Sequence, residues 1–295
     1  MTPLVLAVVV VALAPPPGDD ARKAVVLGRG GEVFAPTASG DYVRTRAFST
    51  ADVPVLAGRA GGDVVVLGDG VVYRLADNGW TAIRLVQKGK AVMSGGKRSV
   101  AAVGRQLFAL DRTAGGEPAK LALAPAPVLA IAGGDTAVVI QTARGLMRLE
   151  GATFKRIART PRTITRLVSE RWALTDRGAV DLKAGTTTAW PAGLSVHVAA
   201  AGPDAATLAA VGTTRSGLEL VTVTPAKQGT KIVRDPIAGT QGAKAVGVAV
   251  DKAGRAVVAL SDGRVARRDR AAWTIAQVRD ELPAPRPGAG PATSP

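Results

Sequence analysis

The chain has 295 residues, enough for one large domain or two of medium size, and 47% of them are hydrophobic, so a packed core is easily supplied. It contains no cysteine and a single histidine, which excludes disulfides, thiolate metal sites and cysteine nucleophiles and argues against histidine-rich metal centres. The formal net charge of +15 favours attraction to polyanions such as nucleic acid, anionic lipid or acidic glycan, and a generally arginine-rich, soluble surface is the alternative explanation.

The chain begins with an apolar segment. Residues Leu4 to Ala14 form an uninterrupted apolar run that ends in Ala-Leu-Ala, directly before three prolines. This pattern is typical of a secretory signal peptide cut after Ala14, and the run is too short for a membrane span, which needs about 20 residues. No lysine or arginine precedes the run, so an uncleaved anchor, a misassigned start and a buried strand stay open as alternatives. We predict a signal peptide over residues 1–14, a Pro-rich linker over 15–21, and export to the periplasm or the cell exterior.

Downstream of this segment, short Val/Ala/Leu runs recur on both sides of a tight turn that contains glycine. The seven turn glycines are Gly31, Gly70, Gly104, Gly145, Gly178, Gly217 and Gly263. Their spacing ranges from 33 to 46 residues, and the two clearest copies of the repeat begin at Gly62 and Gly134. A near-constant period of this length indicates a fold built from repeated structural units.

Each repeat reads as strand, turn, strand, glycine turn, strand, turn, strand, since Gly, Asp and Asn tolerate the backbone of hairpin turns. Four antiparallel strands in about 40 residues make one β-propeller blade, and a blade must pack against neighbours on both faces. The prediction is an all-β fold, a single β-propeller over residues 22–282 with seven four-stranded blades, and six or eight blades stay open. A two-domain β-sandwich and an outer-membrane barrel are the alternatives, although the barrel lacks the aromatic girdles that it needs.

The two ends of the propeller follow the repeat less clearly. The first blade either has three strands or takes one from the C-terminus, and the run from Trp273 to Val278 is predicted to help close the ring. Residues 283–295 are rich in proline and glycine, so we predict a disordered tail there.

Two turns suggest a family. Asp77-Asn78-Gly79-Trp80 resembles the Asp-box turn of sialidase-like propellers, and Ser261-Asp262-Gly263 precedes Trp273 in a similar way. The chain resembles the broad β-propeller superfamily, in particular bacterial propellers whose blades carry few signatures. Both turns depart from the Asp-box spacing, so the resemblance implies a fold and carries no active site with it.

The strongest functional signal in the sequence is a clustering of basic residues. Two stretches concentrate lysine and arginine with few acids between them, and phosphate or sulfate groups are the natural ligands of such stretches. The candidate polyanion-binding residues are Lys155, Arg156, Arg159, Arg162, Arg264, Arg267, Arg268 and Arg270. Because alternate residues of a strand share a face, we expect Arg264, Arg268 and Arg270 to project together. Solvated blade edges, where charges block edge-to-edge aggregation, are the alternative.

No catalytic, cofactor-binding or metal-binding set emerges from the residues. His197 lies between apolar residues in a strand-like run, which is typical of a hydrogen-bonded structural histidine. Asp63 and Asp135 occupy equivalent turns and fit turn capping better than a shared cation site, because the other repeats place different residues there.

The leading hypothesis is therefore an exported, non-enzymatic binding or scaffolding propeller of the bacterial envelope, with a protein, peptide or glycan partner. The alternatives are a polyanion or acidic-glycan binder that uses its basic blade edges, and a glycan-processing enzyme with residues contributed by several blades. We expect no cofactor, no sequence-specific nucleic acid, no transmembrane segment in the mature chain, and a monomer.

Overall fold

The computed structural model describes residues 10–14, 20–29, 32–47, 56–60, 63–67, 72–76, 79–83, 91–94, 99–114, 117–134, 137–158, 163–227, 229–269 and 272–279. Within these ranges the chain is built of β-strands, with one short 3-10 helix, η1 (Ala21–Lys23). Among the described residues, no helix is long and apolar enough to cross a membrane.

The described strands form seven antiparallel units of four strands, and each unit uses four strands that are consecutive in the chain. We number these units blades 1 to 7. Blade 1 contains β1 (Val10–Ala14), β2 (Val25–Gly28), β3 (Glu32–Pro36) and β4 (Tyr42–Ala47); blade 2 contains β5 (Leu56–Ala60), β6 (Asp63–Leu67), β7 (Val72–Ala76) and β8 (Gly79–Ile83); blade 3 contains β9 (Ala91–Ser94), β10 (Val100–Val103), β11 (Gln106–Ala114) and β12 (Glu117–Leu123); blade 4 contains β13 (Val128–Gly133), β14 (Val138–Thr142), β15 (Gly145–Glu150) and β16 (Thr153–Arg156). Blade 5 contains β17 (Arg166–Leu167), β18 (Trp172–Leu174), β19 (Gly178–Asp181) and β20 (Thr186–Ala189); blade 6 contains β21 (Ser195–Ala201), β22 (Leu208–Thr214), β23 (Gly217–Pro225) and β24 (Thr230–Pro236); blade 7 contains β25 (Ala245–Val250), β26 (Ala256–Leu260), β27 (Arg264–Asp269) and β28 (Ala272–Arg279).

The blades are arranged as a ring around a central axis. The first strands of neighbouring blades contact one another, as β21 contacts β25 and β9 contacts β13, so the first strand of each blade lies innermost. Within each blade the fourth strand is the one farthest from the first, so it lies at the outer rim. The prediction of an all-β propeller with seven four-stranded blades is therefore confirmed.

Small apolar residues on both faces of the central strands let the blades approach closely. In β27 the side chain of Val265 joins the core shared with blade 1, whereas that of its neighbour Ala266 joins the core shared with blade 6. This alternation follows from the two-residue period of a strand, and it explains why the central strands carry apolar residues on both faces. All five residues of β26 are buried, for example.

The turn glycines lie where the repeat predicts them, between the second and third strands. Gly104, Gly145, Gly178, Gly217 and Gly263 all occupy this position, while Gly31 and Gly70 lie outside the described residues. Gly104 and Gly217 have φ values of +56° and +124°, a region that side chains with a Cβ adopt rarely.

Blade 1 differs from the sequence prediction at its inner edge. Its first strand, β1, comes from the N-terminal apolar run, so the described propeller begins at Val10 and not at residue 22. The physical reason is that the backbone groups at the inner edge of β2 require hydrogen-bond partners. The Val/Ala/Leu run supplies these partners and packs its apolar side chains into the surrounding core. The predicted linker (15–21) is described only at Asp20 and Ala21, and the predicted tail (283–295) lies outside the described residues.

The ring closes between blades 7 and 1. At the outer rim β28 pairs in parallel with β4 through Val278 with Tyr42 and Arg279 with Val43, which joins the two blades into one eight-stranded sheet. This places the predicted closing run, Trp273 to Val278, in the strand that makes the junction.

Candidate functional site

The turns between second and third strands share a chemical feature besides glycine, which is an arginine. Six of the seven blades place one in this turn or, in the case of Arg264, at the first residue of the third strand. The six, called here the turn arginines, are Arg29, Arg105, Arg144, Arg177, Arg215 and Arg264. In blade 2 the corresponding sequence is Gly68-Asp69-Gly70, and that turn lies outside the described residues. Because every blade has the same strand order, equivalent turns project from the same face of the ring, which we call the arginine face.

Threonine side chains fix several of these turns. In blade 5 the Thr175 hydroxyl donates to the Gly178 carbonyl (3.1 Å) and accepts from the Arg177 amide (3.2 Å). Blade 4 repeats the arrangement, since Thr142 accepts from the Arg144 amide at 3.1 Å. In these two blades the backbone of the arginine is thus held by the end of the preceding strand, while its side chain extends beyond the turn.

Most of the turn arginines are exposed and lack an acidic partner. Five of the six are exposed, and the Arg177 side chain keeps 92% of its accessible surface. Within the described residues no carboxylate lies within 4 Å of Arg29, Arg105, Arg144 or Arg215. Arg105 instead donates from Nε to the carbonyl of Ala124 at 2.7 Å, which leaves its positive charge unneutralised. The arginine face therefore carries a repeated, solvent-facing positive charge.

The Arg264 side chain is the exception among the six. Its guanidinium donates to Asp262 Oδ2 at 2.6 and 2.8 Å and to the Gly239 carbonyl at 2.5 Å. These contacts tie blade 7 to the loop that follows blade 6. They also offset its charge, so Arg264 contributes less to the field of this face than the others.

His197 lies at the inner part of the same face. Its Nε2 is 3.1 Å from the hydroxyl of Thr213, which fits the predicted structural role. Burial lowers the pKa of His197, and the nearby positive charge of Lys244 lowers it further. The histidine therefore stays neutral at physiological pH.

Two of the predicted basic residues in β27 project together, but toward blade 6 and not into solvent. Arg264 is paired as described above, and Arg268 Nε lies 2.6 Å from Asp235 Oδ2 in an ion pair without hydrogen-bond alignment. Arg268 also donates to the Gly254 carbonyl at 3.3 Å. Arg270, the third member of the predicted set, lies outside the described residues.

Arg267 projects from the other side of β27, toward blade 1. Its guanidinium occupies the space next to Gly40, which has a φ of +95°, so that a Cβ at residue 40 would overlap it. Tyr42 is fully buried nearby, and burial raises its pKa to about 12, although the charge of Arg267 opposes this shift. Arg267 is therefore packed between two blades.

The other predicted cluster lies at the outer rim of blade 4. Lys155 and Arg156 are exposed on β16, and Lys155 Nζ lies 2.6 Å from Glu150 Oε2. Arg159 and Arg162 lie outside the described residues. The structure thus places the two predicted clusters on blades 4 and 7, with two blades between them, and polyanion binding by either one stays a prediction.

The face opposite the arginine face carries the polar junction of blades 7 and 1, called here the closing staple (Asp20, Arg22, Asp251 and Arg255). The buried Asp251 carboxylate accepts from the Ala21 amide at 3.3 Å and from Arg255 Nε at 2.6 Å. Arg255 also lies 3.5 Å from Asp20, and Arg22 donates to the Asp20 carboxylate at 3.0 and 3.1 Å. Hydrogen bonding from the Arg22 side chain lowers the pKa of Asp20 to about 2. In the described part of the chain, neither this group nor any other brings together three side chains that could hold a metal ion.

Comparison with solved structures gives the same fold. The chain matches the WD40 β-propeller domain of Doa1 with a TM-score of 0.60 and 11% identity, over 90% of this chain and 96% of that one. It matches YCF48 bound to D1 peptide with a TM-score of 0.60 and 10% identity, over 95% and 94% of the two chains. The extracellular domain of the hybrid two-component system BT4673 from B. thetaiotaomicron gives a TM-score of 0.54 and 10% identity, over 92% of this chain and 38% of that one.

The chain has a β-propeller fold. At these identities the likeness establishes the fold alone, and no family model and no curated protein matches the chain. This agrees with the resemblance to propellers whose blades carry few signatures.

Of the six turn arginines only Arg264 was among the predicted residues, because the other five do not lie in the two basic stretches of the sequence. Aligning the repeats on their turn glycines would have found them, since an arginine lies within two residues of the glycine in six of the seven copies. In a propeller, residues distant in sequence share a face when they occupy the same place in the repeat.

Proposed function

We propose that this protein is an exported binding propeller that holds a polyanionic ligand, such as an acidic glycan, on its arginine face. The observation that carries the proposal is the recurrence of an exposed arginine at the same turn of successive blades. A single cavity is not required, because a polymer with repeated sulfate, phosphate or carboxylate groups can contact several turns at once.

The electrostatics of the face support the same proposal. Charge-assisted hydrogen bonds from arginine to anionic oxygens are strong, and the planar guanidinium binds two oxygens at once. The net charge of +15 adds a general attraction that brings anionic polymers to the surface. Export is proposed from the apolar N-terminal run, and it would place the protein among the acidic polymers of the envelope or exterior.

The test compares two variants with the same loss of charge at different places. One replaces Arg29, Arg144, Arg177 and Arg215 by serine, and the control replaces Lys120, Lys183, Lys227 and Lys231 by serine. All eight side chains are exposed, and the control residues lie on outer strands or on the opposite face. Retention on a heparin column is measured across a salt gradient.

We expect the turn-arginine variant to elute at clearly lower salt than the wild type and the control variant to shift much less. In a binding titration the slope of log K against log [salt] is negative. Its magnitude should fall by about 0.7 for each lost contact between an arginine and an anionic group, or by about 3 in total. Equal shifts of the two variants would mean that the charge acts diffusely, and the proposal of a localised site would be wrong.

A second candidate is a peptide-binding scaffold, since the solved structure of YCF48, which shares the fold, is described as bound to D1 peptide. In that case pull-downs from envelope extracts would recover a discrete protein that resists high salt. Recovery of the same protein by the turn-arginine variant would favour this candidate over the polyanion proposal.

A further inference from the structure

The first strand of blade 1 is an element that the proposed export would remove. β1 pairs antiparallel with β2 through Val10 with Gly28, Ala12 with Leu27, Leu13 with Val26 and Ala14 with Val25. The side chains at 10, 12, 13 and 14 are all buried, with Val10 at 1% and Ala14 at 0% exposure. The predicted cleavage site follows Ala14, so the strand and its connection to β2 cannot both persist in a chain cut there.

The residues that pack against β1 remain in the chain after the cut. On one side Val10 and Leu13 pack in the core shared with blade 7, where they join Val26, Phe34 and Ala249. On the other side Ala12 and Ala14 pack with Val25, Leu27 and Val33. Gly247 of β25 leaves the space that Leu13 fills, because a Cβ there would overlap the Leu13 Cβ.

The remaining three strands of blade 1 have their own attachments to blade 7. β4 pairs with β28 at the outer rim, and the closing staple binds the Ala21 amide to Asp251. Loss of β1 therefore leaves the backbone donors and acceptors at the inner edge of β2 unpaired and exposes the apolar residues that packed against β1. An unpaired strand edge of this kind can pair with another strand.

We propose that the form cut after Ala14 carries a strand-acceptor site at the inner edge of β2, which binds an extended apolar peptide segment of a partner. This rests on the proposed export. Main-chain hydrogen bonds to β2 would supply affinity, and the alternating pockets would supply specificity. The present occupant defines the ligand, with medium-sized apolar side chains facing blade 7 and alanine-sized side chains on the other side.

The chain's own C-terminal segment fits this site poorly. Residues 283–295 follow blade 7, but they contain no valine, leucine, isoleucine or aromatic residue. They cannot fill the positions that Val10 and Leu13 occupy, so the proposal commits to a partner's peptide.

The experiment uses the full chain with a specific protease sequence in place of Pro15, Pro16 and Pro17, cut only after folding. The probe is a fluorescent peptide with the sequence of residues 7–16, and its binding is followed by anisotropy. A peptide with Leu13→Asp is the matched control ligand. The protein control is the Gly247→Val variant, whose side chain takes the space of Leu13.

We expect saturable binding of the probe to the cut protein and no binding to the uncut protein. With either control the affinity should fall by at least about tenfold, which corresponds to about 1.4 kcal/mol. Gly247→Val should also lower the thermal midpoint of the uncut protein while leaving the cut form nearly unchanged. If cutting unfolds the protein and the probe restores its circular dichroism, the proposal is supported as well.

The proposal is wrong if the cut protein stays folded and does not bind the probe, or if it unfolds and the probe does not restore it. A cut protein that dimerises on size exclusion and excludes the probe would instead point to a second copy as occupant. N-terminal sequencing of the exported protein tests the premise separately, because a chain that still begins at Met1 would contradict the proposed processing and not the binding site.

Discussion

Asp251 accepts hydrogen bonds from two different blades through a single carboxylate. Its carboxylate is buried and serves its own turn, through the amides of Ala253 (2.9 Å) and Arg255 (3.0 Å), as well as blade 1 through Ala21. The Arg255 guanidinium completes the set, so the negative charge is compensated where water is excluded. One side chain therefore joins the last blade to the first.

Replacing Asp251 by alanine should lower the free energy of unfolding by about 3 kcal/mol, because it leaves Arg255 without its buried partner. The matched control is Asp204→Ala, since Asp204 also caps a turn, through the Ala206 amide at 2.9 Å, but is exposed and forms no hydrogen bond or ion pair with another blade among the described residues. We expect a loss of about 1 kcal/mol or less for the control. Urea denaturation gives both values, and equal losses would contradict the role of Asp251 at the junction.

Asp20 gives the same junction a pH dependence. Its pKa of about 2 lies below its ordinary value of 3.8, so the folded state favours the charged carboxylate. The stability that Asp20 contributes is fully present above pH 3.8 and is lost as the pH falls from 3.8 toward 2. The difference in unfolding midpoint between the wild type and Asp20→Asn should shrink across this window, and a difference that stays constant would contradict the assignment.

Which charged residues meet could be predicted from the sequence only in part. The repeat located the turns, and a residue's place in the repeat decides whether it reaches the arginine face. The pairing of Arg268 with Asp235 could not be predicted, because it depends on the distance between two blades whose residues are far apart in sequence. Local spacing predicts which side chains share a strand face, not what the next blade places opposite them.

At the scale of strands and turns, glycine has two separate roles in the repeat. A Cβ at Gly178 would overlap the carbonyl of Thr188 in β20. A Cβ at Gly104 would meet no atom within 4 Å, and only the backbone φ of +56° would be unfavourable for a residue with a side chain. The first role is close approach of two strands, and the second is backbone conformation.

Gly178→Ala should therefore cost more than Gly104→Ala. We expect a loss of about 2 kcal/mol or more for residue 178, because backbone atoms must shift, and about 1 kcal/mol for residue 104. Thermal and urea denaturation of the two variants measure the difference. The reverse order would mean that β20 moves freely away from β19.

The strands themselves were largely predictable, since short Val/Ala runs before each glycine became second strands, as in β10 and β26. β1 was not, because an apolar run before prolines has the same composition whether it is an export signal or an inner strand. Its pairing with the inner edge of β2 depends on the three-dimensional fold, which composition alone does not contain.

For the whole molecule, the junction that closes the ring depends on a short strand pairing at its outer rim. β4 and β28 share two residue pairs, whereas β22 and β23 within blade 6 share seven. Hydrogen exchange should therefore be faster in residues 42–47 and 272–279 than in 208–214. Asp251→Ala should accelerate exchange in blades 1 and 7 and leave blade 4 unchanged. Uniform acceleration across the blades would contradict a role of Asp251 that is confined to the junction of blades 7 and 1.

The regular placement of the turn arginines bears on how such a surface changes over time. A repeat that is duplicated brings its own arginine to the same face, and a repeat that loses its arginine, as the Asp69 turn of blade 2 illustrates, removes one contact and leaves the others unaffected. Affinity for a long ligand then varies in small steps with the number of contacts. A surface of this kind can be tuned one blade at a time while the fold stays the same.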